Sequence, residues 1–312
     1  MFLTKIKKKQ KILLLLVFSF IISFAQAQDS IRIRGVFREY ICSISLTFNS
    51  FSAGFKPLAE VAIKDNSFYL SLPGTIAPGV YRVQYNQGCG EQFVDVIVNG
   101  IDKEISFDTN LNSEFPSFMR SEENRRWSNY QKQSKCHVSK LGILYNFLSF
   151  YPSTQDKVVL QVTKAVTQER RKYYDSFENF IKRNKGTWAG EMVSNQPHYF
   201  SDPKNVPTRR DFIRRDYYWD DINTNDPKLM NSPLYRTLID NYLDFQSTTD
   251  YTASQLEDYL RKRSAVIMQK FGDNATTKAF ALRHLKEGFI AMGQYSIAIF
   301  IENKYGLSGA KL

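Results

Sequence analysis

Apolar residues recur at every second position up to about residue 110, and at every third or fourth position after about residue 120. Alternation buries one face of a strand, whereas a 3.6-residue period buries one stripe of a helix. One kind of element cannot satisfy both patterns. The first part of the chain must therefore be β and the remainder α, an α+β fold.

On the β side, Ile31, Ile33, Gly35 and Phe37 alternate with Arg32, Arg34, Val36 and Arg38, and a second short run covers 41–48. Segments 61–63, 67–72, 80–85, 92–98 and 104–108 continue the series. Lys64-Asp65-Asn66, Pro73-Gly74, Pro78-Gly79, Asn86–Gly90 and Asn99-Gly100 supply turns between them. Short strands at this spacing predict an antiparallel β-sandwich or a partly open barrel over residues 28–112. Asn99-Gly100, lying between two apolar runs, predicts a hairpin.

Pro116 and its polar neighbours predict a linker over 113–120, and residues 121–312 form the helical bundle. Ser121 is placed to cap a helix that runs through Trp127 into Leu141–Tyr151. Val159, Val162, Val166, Tyr173, Phe177 and Ile181 mark a second helix, which Lys185-Gly186 stops. Trp188–Val193 is a short amphipathic piece, and 197–207 is an irregular loop rich in proline. Within Asp216–Phe245 an aromatic, acid-rich loop runs into a helix, with Ser232 as N-cap and Pro233 at its first position. Thr252 and Gln255 form a capping box for the next helix, and a last helical region from Thr276 to Tyr305 breaks near Gly293.

The N-terminus carries an export signal. Lys5, Lys7, Lys8, Lys9 and Lys11 precede the apolar run Ile12–Phe24, and Ala25-Gln26-Ala27 has the small-x-small form of a cleavage site. The expected signal peptide is 1–27. Its apolar run is shorter than the roughly 20 residues a membrane span requires. No cysteine follows to accept a lipid, so the mature chain is expected to be periplasmic or secreted, with no integral membrane segment. Losing the five leader lysines lowers the formal charge by five, from +11 to +6.

Three cysteines remain after cleavage, at 42, 89 and 136. An exported chain favours oxidation, and Cys42 and Cys89 fall in the same expected domain, so they are the expected disulfide; three buried thiols are the alternative. No C-x-x-C spacing occurs. Asp221-x-Asn223-x-Asn225-Asp226 begins like a calcium loop but lacks the glycine and the bidentate glutamate that complete one, which favours a turn. His137, His198 and His284 lie far apart on different expected elements, and nothing in the sequence supports their meeting in one site. Cys136 and His137 are neighbours, but adjacent helical residues point about 100° apart, against a nucleophile–base pair. No Gly-x-Ser-x-Gly, phosphate loop or HExxH occurs. Catalytic residues, metal and cofactor are all expected to be absent. The basic clusters Arg170-Arg171-Lys172, Arg209-Arg210 and Arg261-Lys262-Arg263 alternate with acids as solvated helix faces do, and export argues against nucleic acid.

Three stretches carry a family resemblance: Ser121-Glu-Glu-Asn124; Tyr217-Tyr-Trp-Asp-Asp-Ile222 with Asp226-Pro-Lys-Leu-Met and Ser232-Pro-Leu-Tyr235; and Leu285–Gly306. Through them the chain resembles the N-terminal, non-thioredoxin region of Bacteroidetes-type exported thioredoxin-like thiol–disulfide oxidoreductases, the TlpA/ResA-like group. That resemblance implies a small β domain and a helical region ahead of a thioredoxin fold. No W-C-x-x-C occurs in this chain, so the redox activity of the group does not carry over. The expected function is that of a non-catalytic binding or docking module, its partner another envelope protein such as a thioredoxin-like redox protein. The alternative is a truncated or degenerate oxidoreductase, active only with a missing or separate thioredoxin domain. The expected interaction surface is Tyr217, Tyr218, Trp219, Asp220 and Asp221, against the reading that these aromatics seal the helical core.

Overall fold

The computed structural model describes residues 30–38, 43, 45–51, 55–87, 90–110, 114–151, 156–200, 202–203, 205, 215–244 and 251–306. The signal peptide and both Cys42 and Cys89 lie outside the described residues.

The alternating segments form strands β1 (Ser30–Phe37), β2 (Ser45–Ser50), β3 (Lys56–Ala62), β4 (Ser67–Pro73), β5 (Gly79–Gln87), β6 (Gly90–Val98), β7 (Glu104–Thr109) and β8 (Ser117–Arg120). They make two four-stranded sheets, ordered β4-β1-β7-β8 and β3-β2-β5-β6. Neighbouring strands run antiparallel except β1 and β7, which pair in parallel with Ile33 opposite Ile105. The inward faces meet in one apolar cluster that includes Ile31, Ile33, Phe48, Val83, Val96, Ile105 and Phe107. Period-two alternation sets this face: along β1, Ile31, Ile33 and Phe37 are buried while Arg32 and Arg34 face out.

Two sequence expectations change. Asn99-Gly100 is not a hairpin, because β6 and β7 belong to different sheets. The Asn99 side-chain oxygen accepts the N–H groups of Ile101 and Asp102, both at 2.9 Å. This Asx turn, with Gly100 at φ 78°, sends the chain across the sandwich. The expected linker also ends in a strand: β8 pairs antiparallel with β7, and Phe118 packs on Phe107 with ring centroids 5.6 Å apart.

The helices are α1 (Glu122–Phe150), α2 (Lys157–Arg183), α3 (Trp188–Ser194), α4 (Leu234–Leu243), α5 (Ala253–Lys270), α6 (Ala275–Ala291) and α7 (Tyr295–Tyr305), with a 3₁₀ turn over Pro227–Asn231. The capping box of Thr252 and Gln255 is formed, and Gly293, at φ 72°, separates α6 from α7. Helix α4 starts one residue later than its sequence suggests. Pro233 takes the cap position, while the buried Ser232 hydroxyl accepts the Leu234 N–H at 3.2 Å and donates to the Leu229 carbonyl at 2.6 Å.

A second apolar cluster fills the helical part and crosses into the β part. It joins Phe51, Val80 and Ile97, on the outward side of the β5–β6 sheet, to Trp127, Tyr235, Phe271 and Phe289. The two halves of the chain thus share one core. Among the described residues no helix is long and apolar enough to cross a membrane.

Candidate functional site

The aromatic, acid-rich segment expected to form a surface is divided by the fold. Tyr218 and Trp219 are only 5% and 4% exposed and belong to the helical core. The Tyr218 hydroxyl donates to the Leu238 carbonyl at 2.9 Å, and both rings pack on Tyr242 at 5.2 and 5.1 Å. These two residues anchor the segment. Tyr217, 51% exposed, points outward with Asp220 and Asp221.

The 197–200 segment rises beside Tyr217. Tyr199 stacks on it, with ring centroids 5.0 Å apart and planes inclined at 21°. His198 is held from three sides. Its ring stacks on Phe177 of α2 at 4.2 Å, meets Tyr174 edge-on at 6.3 Å, and carries Nδ1 3.1 Å from the Gln196 carbonyl. A proton on Nδ1 that donates to this carbonyl leaves Nε2 facing the Asp221 carboxylate at 3.6 Å. Together Tyr174, His198, Tyr199, Tyr217, Asp220 and Asp221 line a cleft of about 180 Å³.

The rest of the segment is fixed by turns, as its composition suggests. Asn223 accepts the Asn225 N–H at 3.0 Å, and Asp226 accepts the Lys228 N–H at 2.9 Å. The Asn195 side chain accepts the Asn223 N–H at 2.7 Å, which ties the two loops together. The Tyr235 hydroxyl lies 2.8 Å from the Asn223 carbonyl and 3.0 Å from that of Asp226. Burial pushes this phenol upward, so it stays protonated and can donate. Of the calcium-like residues, Asn223 and Asp226 thus spend their side chains on backbone groups, Asn225 donates to the Asp273 carboxylate at 3.4 Å, and Asp221 faces His198. Among the described residues no three His, Cys, Asp or Glu side chains are grouped to hold a metal.

Each histidine has an acid partner from a distant part of the chain, which the sequence reading missed. His137 Nδ1 lies 2.7 Å from Glu169, and His284 Nε2 lies 2.7 Å from Asp240. The Arg236 guanidinium lies 3.2 Å from the other His284 nitrogen, so the ring is held between Arg236 and Asp240. The three His–acid pairs sit on separate element pairs and do not converge. Cys136 is exposed on α1, and the neighbouring His137 turns toward Glu169 of α2 instead.

Chemically the 180 Å³ cleft offers stacked phenol rings, two carboxylates and one imidazole nitrogen. Among the described residues no Ser, Thr or Cys lines it to serve as a nucleophile. Aromatic faces beside carboxylates suit a cationic side chain, above all arginine, which stacks and pairs at once. A larger groove of about 960 Å³ runs between α1 and α2, but Arg126, Gln133, Lys172, Asp175 and Asn179 line it as solvated polar chains. Tyr199 was not anticipated, because Pro197, Pro203 and Pro207 mark its loop as irregular; the run His198-Tyr199-Phe200 was the available signal. No protein-family model, curated protein or solved structure matches the chain, so the cleft is read from its own chemistry.

Proposed function

We propose that the chain is an exported, non-catalytic docking protein, periplasmic or secreted, that binds another envelope protein. The observation that carries this reading is the exposed Tyr199–Tyr217 stack beside Asp220 and Asp221. Tyrosine and arginine dominate binding hot spots, and a carboxylate rim selects basic partners. The cleft is the socket, and a basic side chain on the partner is the plug. Its resemblance to the non-thioredoxin region of envelope oxidoreductases makes a thioredoxin-like protein the first partner to seek.

A pull-down from envelope extract with residues 28–312, followed by mass spectrometry, tests the proposal. The expected result is recovery of a thioredoxin-like or other envelope protein, with at least tenfold less recovered by a Tyr217→Ala, Asp220→Asn double variant. Both side chains are exposed, so the variant keeps the fold. Equal recovery by the variant would remove the cleft from the interface, and no specific recovery after crosslinking would remove the docking function.

A further inference from the structure

Helices α1 and α2 form a hairpin arm whose far end leaves the body of the molecule. Trp127, Tyr130 and Phe177 join the helical core, but Leu141, Val159 and Val166, although buried, belong to neither apolar cluster. They pack within the arm, between its two helices. From Tyr130, its last buried residue in the helical core, to Phe150, α1 runs about 30 Å, which is the reach of the arm.

Its end is apolar on the outside. Ile143, Phe147 and Phe150 follow at i, i+4 and i+7, and Ile143 and Phe150 are 70% and 87% exposed. Ile143 lies about 200° around the helix from Leu141, so this stripe faces away from α2. On α2, Val158 and Leu160 are exposed on opposite sides of the buried Val159. Exposed apolar side chains therefore lie on several sides of the described ends of α1 and α2. A folded protein partner covers one side of such an arm, whereas hydrocarbon envelops all of it.

Charge selects the kind of surface. Acids make up about a tenth of the whole chain, yet Asp156 is the only one between Glu123 and Glu169, against seven Lys and Arg. That single carboxylate is engaged as the α2 cap, accepting the Val158 N–H at 2.7 Å. Lys140, Lys157 and Lys164 are exposed on the arm. Lys140 is drawn to Glu169 at 3.7 Å, which leaves Lys157 and Lys164 as the cations beside the apolar residues, the pattern of a protein that binds anionic lipid.

We propose that the adjoining ends of α1 and α2 insert peripherally into an anionic phospholipid bilayer, with Ile143, Phe147 and Phe150 among the acyl chains and Lys157 and Lys164 at the headgroups. This is independent of the docking reading. Val158 at the tip and Tyr174 at the cleft are sixteen residues apart on α2, about 24 Å along its axis. A membrane-held arm thus leaves the cleft free.

Co-sedimentation of residues 28–312 with vesicles tests the proposal; removing the leader prevents its own apolar run from binding. The protein should pellet with phosphatidylcholine vesicles containing a third phosphatidylglycerol, bind pure phosphatidylcholine at least tenfold more weakly, and be released by added salt. An Ile143→Ser, Phe150→Ser variant should lose binding by tenfold or more with an unchanged melting curve. A Lys157→Gln, Lys164→Gln variant leaves the apolar tip intact and should bind about tenfold more weakly, at roughly fivefold or less per lysine. No binding to anionic vesicles, or equal binding by both variants, overturns the proposal. Self-association in the absence of vesicles that the Ser variant abolishes overturns it too, by assigning the tip to a second copy of the chain.

Discussion

Asn124 ties the two halves of the chain together through one side chain. It is fully buried, its oxygen accepts the Ile97 N–H and its nitrogen donates to the Ile97 carbonyl, each at 2.7 Å. Ile97 lies on β6, an edge strand, so the amide supplies what a further strand would. Its neighbours work alike. Ser121, at φ 80°, occupies a region that L residues avoid, and its hydroxyl accepts from the Asn124 amide nitrogen at 2.8 Å. Glu123 accepts the Ala189 N–H at 2.9 Å and the Asn99 side chain at 2.8 Å. An Asn124→Leu variant leaves a buried N–H and carbonyl unmet, at about 1–3 kcal/mol for each group. Urea unfolding should show a total loss of about 3 kcal/mol, and a loss within 0.5 kcal/mol, on the order of an ordinary surface change, would show that Asn124 is not the joint. In sequence, Ser121-Glu122-Glu123-Asn124 reads only as a helix opening. Its partners lie 24 to 66 residues away, beyond the reach of any local pattern.

Elements with long repeats were the legible ones. The alternation along β1 and the stripe along α2 each recur often enough to leave one solution, and α1 runs through Gly142 because Leu141, Leu144 and Leu148 keep its period. Four-residue β8 and the first half of β3, which holds Pro57 on an edge strand, offer too few repeats to be seen. The pairing of α1 with α2 was equally hidden, although charge holds it. Glu169 is buried on α2, with His137 at 2.7 Å and both Lys140 and Lys172 at 3.7 Å. Burial pushes its carboxyl up, but the His137 hydrogen bond and the neighbouring Lys140 and Lys172 ammonium groups outweigh this and hold it below its usual 4.5. A carboxyl depressed by folding adds stability above its unfolded value and loses it as pH falls through the folded one. Replacing Glu169 with Gln should therefore cost about 1–2 kcal/mol at pH 7, with the gap to the native chain closing below about pH 4.5. Thermal melts from pH 7 to pH 3 measure this. A gap that widened in acid would contradict the assignment.

At the scale of the whole molecule, the change of period near residue 115 marks a change of element and not the edge of a core. Val80 and Ile97 face away from the sandwich interior and lie under the helices, where a free sandwich would expose them. On the outward face of β5 and β6, Val80 and Ile97 stand as an apolar pair beside the polar Arg82, Gln84 and Asp95, a signal that something covers that end of the sheet without saying what. The cover is the segment 227–231 and the helices behind it. Asn231 donates to the Pro78 carbonyl at 3.3 Å, and its own carbonyl lies where Gly79 comes closest. A Cβ on Gly79 would stand 2.6 Å from that oxygen, which belongs to backbone and cannot swing aside. Gly79 is therefore required by contact and not by a turn. A Gly79→Ala variant must push the sheet and the helices apart, at a cost of about 1–3 kcal/mol. If the shared core makes the chain one cooperative unit, circular dichroism at a strand-weighted and a helix-weighted wavelength will report a single transition, lowered equally at both. Two separate transitions, with only one displaced, would mean that the sandwich and the bundle fold independently and merely touch. The many apolar side chains that cross this junction argue for the single transition.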